Sequence, residues 1–165
     1  FSYGDYLVHP DFHRGFALLE EYGLIASLDV KWEDMEKLAL LAEQHPGVVI
    51  VLDHAGFPTE RTKEYFGNWM GGIARIAECE NIYCKVSGLG MGDNEWDTER
   101  IRPWVDHCID CFSDDRTIFA SNWPVDSLWI DYGAIVQAYR EILSVRPEVE
   151  QEKIFGGNAA RLYQV

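Results

Sequence analysis

The chain has 165 residues, of which 47% are hydrophobic, so it is long enough to bury the core of one domain. Its net charge of −14 and its pI near 4.6 argue against binding to nucleic acid or to an anionic membrane surface. No apolar run reaches the length of a membrane span, and no secretory signal opens the chain, which begins with Phe1.

Hydrophobic periodicity predicts helices that alternate with strands along the first half of the chain. A first helix ends at Gly23, and a short strand over residues 24–28 stops at Asp29. A helix over 35–42 follows. The continuous apolar run over 48–52 then predicts a strand that is buried on both faces, which is typical of parallel sheets.

The second half repeats this alternation. The predicted elements are helices over 65–76, 101–112 and 132–143 and strands over 81–87 and 117–121. Asn158 is interpreted as the N-cap of a last short helix that runs to Leu162. Strands that alternate with helices predict an α/β fold of parallel βα units with right-handed crossovers.

Polar side chains follow every predicted strand. They are Asp29, Asp53 with His54, Lys85 with Ser87, and Ser121 with Asn122. Because the carboxyl ends of parallel strands meet at one edge of a sheet, where ligands bind, we expect these side chains to share one opening. A sheet with a purely structural role has no need to gather polar groups there.

Four cysteines do not make a disulfide framework in a chain of this size. Cys108 and Cys111 have the spacing of a redox motif, but they lie in the amphipathic segment 101–112, so we interpret Cys108 as a core residue. No second pair completes a zinc site of this type. This cysteine usage suits a reducing compartment, and the expected location is cytoplasmic.

Four segments resemble, in order, the signatures of the amidohydrolase-related (amidohydrolase 2) TIM-barrel hydrolases, and they are most similar to the lactonase-like branch. The segments are LDHAG at 52–56, CKVSG at 84–88, FASNWPV at 119–125 and NAARLY at 158–163. The resemblance implies that residues 1–165 form the C-terminal half, strands 5–8, of a (β/α)8 barrel. The family's His-x-His pair on the first strand has no counterpart here. Since four βα units leave two open sheet edges, we expect that this half is not self-sufficient.

The resemblance also implies a catalytic role for His54. The histidine would bind a divalent metal together with the missing pair, or it would polarise a substrate carbonyl as a hydrogen-bond donor. A histidine that is merely hydrogen-bonded in the barrel mouth is the alternative. Asp53 must point the other way on its strand, and we interpret it as structural, paired with a helix or a loop.

Asn122 departs from the family pattern, which has an aspartate there as general base toward the hydrolytic water. An amide cannot accept a proton at neutral pH. Asp126 is the candidate to take over this role, although a cap of the helix near 128–132 is the favoured interpretation of that residue. The substitution puts both metal binding and standard base catalysis in question.

Three further residues are candidates for substrate binding. Lys85 would neutralise an anionic substrate, with a solvent-facing lysine as the alternative. Ser87 would donate a hydrogen bond to substrate, but no histidine at a recognisable spacing supports a serine nucleophile. Trp123 would shape the pocket wall. The glycine-rich stretch 88–92 is either a lid loop or an ordinary connection.

Together these features predict a hydrolase of a small organic substrate, above all a lactone, with His54, Asn122 and Asp126 as catalytic candidates. A metal-dependent decarboxylase and a catalytically inactive barrel that binds a small acid are the alternatives, and Asn122 favours the last. One divalent metal such as zinc, with His54 as a ligand, is expected unless the reaction is metal-independent. The expected partner is a small anionic or cyclic-ester substrate, and assembly into a homo-oligomer is left open.

Overall fold

A four-stranded parallel sheet organises the computed structural model, which describes residues 4–92 and 94–165. The strands are β1 (Ala26–Leu28), β2 (Ile50–Leu52), β3 (Ile82–Val86) and β4 (Thr117–Phe119). Their spatial order is β1-β2-β3-β4, and all three neighbouring pairs are parallel. The predicted α/β fold is confirmed, and β1 and β4 each have one neighbour only within the described residues.

Helices connect the strands and cover one face of the sheet. They are α1 (Pro10–Glu21), α2 (Met35–Gln44), α3 (Lys63–Ala77), α4 (Thr98–Arg116), α5 (Tyr132–Leu143), α6 (Glu148–Glu152) and α7 (Asn158–Tyr163). A π-helical turn, Lys153–Gly157, joins α6 to α7. Among the described residues, no helix combines the length and apolarity that crossing a bilayer requires.

The alternation of side chains along the strands divides the sheet into two faces. On β3, Cys84 is fully buried in the core between sheet and helices, whereas Tyr83 and Lys85 are only partly buried and lie on the other face. On β2, Ile50 and Leu52 belong to the same helix-side core. The strand with the longest predicted apolar run is therefore buried as expected, and the second face carries the polar groups.

The interpretation of Cys108 as a core residue is confirmed, because its side chain is fully buried between α4 and the sheet. All four cysteines are free thiols. Burial raises the pKa of the Cys108 thiol, and the neighbouring Cys84 raises it further. A thiol with a raised pKa is a poor nucleophile, so this pair contributes packing.

Both predicted helix caps are wrong. The helix α5 is capped by Asp131, whose carboxylate accepts a hydrogen bond from the Ala134 N–H (2.9 Å), because α5 begins six residues after Asp126. Asn158 lies inside continuous helical backbone that begins upstream of it, and its side chain is fully buried. Its amide instead donates to the carbonyls of Asp114 (2.5 Å) and Thr117 (2.8 Å), which holds the start of β4.

Candidate active site

A left-handed turn follows β2 and carries His54. Four consecutive residues have positive φ: His54 (55°), Ala55 (50°), Gly56 (75°) and Phe57 (49°). Residues other than glycine rarely adopt this conformation, and each one costs about 1–2 kcal/mol of backbone strain. The turn places His54 at the carboxyl end of the strand, and strain of this kind is typical of functional sites.

His54 contacts Ser87, which follows β3. The Nδ1 atom of His54 lies 2.9 Å from the hydroxyl oxygen of Ser87, whose side chain is almost fully buried. His54 and Ser87 are 33 positions apart in the sequence, so the two side chains meet only because the sheet places β2 beside β3. The Nε2 atom of His54 forms no hydrogen bond with any described residue, so one ring nitrogen is held by protein and the other is available.

Gly88 lies between His54 and Asn122. A Cβ atom at this position would lie 3.0 Å from the Nδ1 atom of His54 and 3.1 Å from the amide nitrogen of Asn122. Gly88 also has a φ of +61°, which favours glycine. The carboxyl ends of β2, β3 and β4 therefore bring His54, Ser87 and Asn122 together at one edge of the sheet.

Asp126 is buried behind Asn122. The Asn122 amide donates to one carboxylate oxygen of Asp126 (2.7 Å), and the Trp96 indole N–H donates to the other (3.3 Å). Burial raises the pKa of the Asp126 carboxyl, while the two hydrogen bonds and the nearby charge of His54 oppose that shift. Asp126 is fully buried, and Asn122 is the only residue following β4 to which its carboxylate is hydrogen-bonded among the described residues.

Lys85 and Asp53 form an ion pair on the face of the sheet away from the helices. The Lys85 ammonium lies 2.6 Å from one carboxylate oxygen of Asp53, and Ser27 donates to the other oxygen at 2.7 Å. Asp53 therefore pairs with residues on the neighbouring strands, and the expected pairing with a helix or a loop is wrong. The alternative of a solvent-facing Lys85 is also wrong, and its charge is already compensated within the sheet.

Trp123 follows β4, and the glycine-rich loop follows β3. Trp123 is 45% exposed and packs edge-on against Tyr132, with 5.6 Å between ring centroids. In the loop, Leu89 is fully buried and its carbonyl accepts a hydrogen bond from Arg61. This segment is anchored to the core, which favours the interpretation as an ordinary connection over a lid.

Asp29 directly follows β1, and the sequence pattern assigns it no role. Burial raises the pKa of its carboxyl, and among the nearby charges His54 opposes that shift most strongly. Its Oδ1 atom is buried and accepts no hydrogen bond from any described residue. The signal that could have singled it out is its place at the end of β1, next to the strand that carries His54.

The described residues do not fit a complete zinc site. Structural and catalytic zinc sites use three or four protein ligands, most often His, Cys, Asp or Glu. Within residues 4–92 and 94–165, no three such side chains cluster closely enough to hold a metal ion. His54 offers its Nε2 atom as one metal ligand. The amide of Asn122 lies on the other side of Gly88.

The chain is similar in sequence to known proteins. The profile of the family described as Amidohydrolase matches residues 2–165. An uncharacterized protein, y4mH, of Sinorhizobium fredii is 38% identical over 156 residues, which are 94% of this chain and 52% of that protein. An L-fucono-1,5-lactonase of Burkholderia multivorans is 27% identical over 93% of this chain and 55% of the lactonase. The chain thus spans about half the length of these relatives.

The fold has a close counterpart among solved structures. An amidohydrolase from Burkholderia multivorans, crystallised with bound zinc, matches with a TM-score of 0.91 and 26% identity. The match covers 97% of this chain and 59% of that one. The four βα units described above therefore correspond to part of a TIM-barrel amidohydrolase.

Proposed function

The chain belongs to the amidohydrolase family, and from that premise we propose that it supplies catalytic groups for the hydrolysis of small lactones. One observation carries the proposal: His54, held by Ser87 at 2.9 Å, lies beside Asn122 at the carboxyl ends of three parallel strands. The similarity to two L-fucono-1,5-lactonases, at 27% and 31% identity, supports a lactone as the substrate.

His54 is assigned the role of electrophile. When the Ser87 hydroxyl donates to Nδ1, the proton of the neutral ring resides on Nε2, the atom without a partner among the described residues. That N–H would donate to the lactone carbonyl oxygen and stabilise the negative charge that develops there as water attacks. Ser87 therefore serves to fix the ring orientation and the tautomer, as a positioning residue.

Asn122 is assigned the role of orienting the attacking water. Its amide nitrogen is engaged by Asp126, so its carbonyl oxygen is the atom left to accept a hydrogen bond from that water. An amide orients the water without taking its proton, and Asp126 is buried too deeply to contact it. Lys85, with its charge paired to Asp53, is proposed as part of the cavity wall and not as an anion-binding group. No step is assigned to a metal ion, because the described residues do not complete a metal site.

The test is the hydrolysis of aldono-1,5-lactones by the full-length protein, followed through the acid that each turnover releases. Replacing His54 with alanine should lower kcat/KM by about 100-fold or more, the usual contribution of a positioned polar catalytic group. The variant His9→Ala, which removes an exposed histidine at the start of α1, is the matched control. Equal rates for wild type and His54→Ala would refute the assignment.

Two other functions remain as outcomes of the same experiment. Release of carbon dioxide from an aromatic acid, with no lactone turnover, would identify a decarboxylase. Tight binding of a small acid without any turnover would identify the inactive barrel, which the amide at position 122 favours because it removes the family's base.

A further inference from the structure

A groove between α3 and α4 has a charge opposite to that of the whole chain. It is lined by side chains from residues 61–66 and 99–104, encloses about 420 Å³, and is called the α3–α4 groove below. Three cations and one acid line it, whereas the chain has 14 Lys and Arg against 28 Asp and Glu. The groove is therefore a cationic surface on an acidic protein, and it attracts anions.

The one acid of the α3–α4 groove is already neutralised. Glu99 forms an ion pair with Arg102, with 2.7 Å between the Nη2 and Oε1 atoms. Of the cations, Arg100 pairs with Glu95 at 2.6 Å. Lys63, the first residue of α3, is exposed and forms no ion pair with any described residue. Lys63 can therefore pair with an incoming anion without first breaking an ion pair within the described part of the chain.

Arg61, the third cation, forms a fixed wall of the α3–α4 groove. Its guanidinium donates hydrogen bonds to the carbonyl of Pro58, at 3.2 Å, and to the carbonyl of Leu89. The same group lies over the ring of Trp104, 5.0 Å from the ring centroid. These contacts hold the segments that follow β2 and β3 against α4. A wall that is formed before the ligand arrives lowers the entropic cost of binding.

Aromatic side chains and a proline make the floor of the α3–α4 groove apolar. Phe66 packs edge-on against Trp104, with 4.6 Å between ring centroids, and Pro103 lies beside them along the groove. An apolar floor next to a cation favours a ligand with an apolar body and an anionic group. One lysine without a carboxylate partner matches a single negative charge better than it matches a polyanion.

We propose that the α3–α4 groove binds a small monocarboxylate with an apolar body. The carboxylate pairs with Lys63, and the apolar body lies against Phe66 and Pro103. The volume suits such a ligand, because small-molecule sites enclose about 300–1,000 Å³. None of His54, Ser87 and Asn122 lines the groove, so the proposal does not depend on lactone hydrolysis.

The experiment measures binding of three probes to the full-length protein by calorimetry. Phenylbutyrate has both the charge and the apolar body, phenylbutyramide has the same shape without the charge, and acetate has the charge alone. Wild type is compared with Lys63→Met, with the charge reversal Lys63→Glu, and with His54→Ala. The matched control is Arg140→Met, which removes an exposed cation from a different cavity, beside α5 and α6.

Wild type should bind phenylbutyrate with a dissociation constant below about 1 mM and about fivefold tighter than phenylbutyramide. Acetate should bind more weakly than either, because it buries little apolar surface. Lys63→Met should weaken the binding of phenylbutyrate about threefold, Lys63→Glu should weaken it further, and neither should change the binding of phenylbutyramide. Arg140→Met and His54→Ala should bind all three probes as wild type does.

Four results would overturn the proposal. The first is a dissociation constant of wild type for phenylbutyrate above about 1 mM. The second is equal affinity for phenylbutyrate and phenylbutyramide, which shows that charge is not recognised, or tightest binding of acetate, which shows that the apolar floor is not used. The third is unchanged binding of phenylbutyrate in both Lys63 variants, or an equal loss in Arg140→Met. The fourth is loss of phenylbutyrate binding in His54→Ala, which would place the ligand at the His54 site.

Discussion

Asn122 and Asp126 form a hydrogen-bonded pair at the end of β4, with 2.7 Å between the amide nitrogen and the carboxylate oxygen. The pair joins an amide at the opening to an acid in the interior, and the acid is satisfied on its second oxygen by Trp96. An amide is the one side chain of this shape that can donate to Asp126 and still present an oxygen to the opening.

The variant Asn122→Asp should lose stability in a pH-dependent way. A second carboxylate in place of the amide would face Asp126, whose pKa is already raised by burial, and like charges raise such a pKa further. A group with a raised pKa binds more protons in the folded state, so its stabilising effect is present at low pH and is lost as the pH rises through that pKa.

We expect Asn122→Asp to be about 2 kcal/mol less stable than wild type at pH 8, with a smaller difference at pH 5. Urea denaturation at the two pH values measures this. An equal loss of stability at both pH values would show that the amide stabilises the protein through its shape and not through its lack of charge.

The variant Gly88→Ala should damage both stability and activity. Its Cβ would crowd the side chains of His54 (3.0 Å to Nδ1) and Asn122 (3.1 Å to the amide nitrogen), and its φ of +61° is strained for alanine. We expect a loss of about 1–2 kcal/mol and a fall in kcat/KM of about tenfold or more.

Gly15→Ala is the matched control for this substitution. Gly15 lies within α1, and a Cβ there would meet no atom within 4 Å. Alanine at that position should increase stability by about 0.5–1 kcal/mol through better helix propensity. The prediction fails if Gly88→Ala behaves like Gly15→Ala in denaturation and in the lactone assay.

The contributions of Lys85 and Asp53 to stability should be energetically coupled. Both side chains are about one-fifth exposed, at 21% and 22%, so solvent screens the pair only in part. Lys85→Met and Asp53→Asn should each cost about 1–2 kcal/mol, and the double variant should cost less than their sum by about 1 kcal/mol.

A double-mutant cycle in urea denaturation measures that coupling. Lys63→Met removes an exposed lysine that forms no ion pair with the described residues, and it should change stability by less than about 0.5 kcal/mol. If the stability losses of Lys85→Met and Asp53→Asn are strictly additive, the ion pair contributes nothing to stability.

The stability of the protein should decrease in mildly acidic solution because of His45. This ring is partly buried against His13, with 3.1 Å between the His13 Nδ1 and His45 Nε2 atoms. Burial lowers the pKa of His45 and the nearby His13 lowers it further, while Glu20 opposes the shift. A histidine with a lowered folded pKa binds fewer protons when folded, so stability is lost as the pH falls below about 6.5, the usual pKa of an unfolded histidine.

The variant His45→Gln should lack this contribution. Between pH 7.5 and pH 5, we expect wild type to lose more of its unfolding free energy than the variant does. Parallel pH dependence of the two proteins would assign the acid sensitivity to other groups.

The strands and their order of appearance could be predicted because they depend on local patterns. The apolar run that contains Ile50 and Leu52 is buried on both faces, as a parallel strand requires. The convergence of His54 and Asn122 also follows from a general rule, since parallel strands end at one edge.

Contacts between distant residues could not be predicted in the same way. Ser87 and His54 are 33 residues apart, and no spacing rule links them before the sheet is assembled. Asp126 precedes a helix, as a capping residue does, yet Asp131 takes that role because the helix starts later. Asp29 is distinguished by the burial of one oxygen atom, a property of packing that the order of residues does not express.

The shared direction of the four strands has a consequence for whatever lies beside them. A polypeptide that extends this sheet in the same sense, next to β1 or β4, must also finish at the edge where His54 stands. Side chains at the ends of strands added beside β1 or beside β4 would then lie near the same bound small molecule, however far apart they are in sequence. Strand polarity alone decides where new chemistry can be added to this architecture.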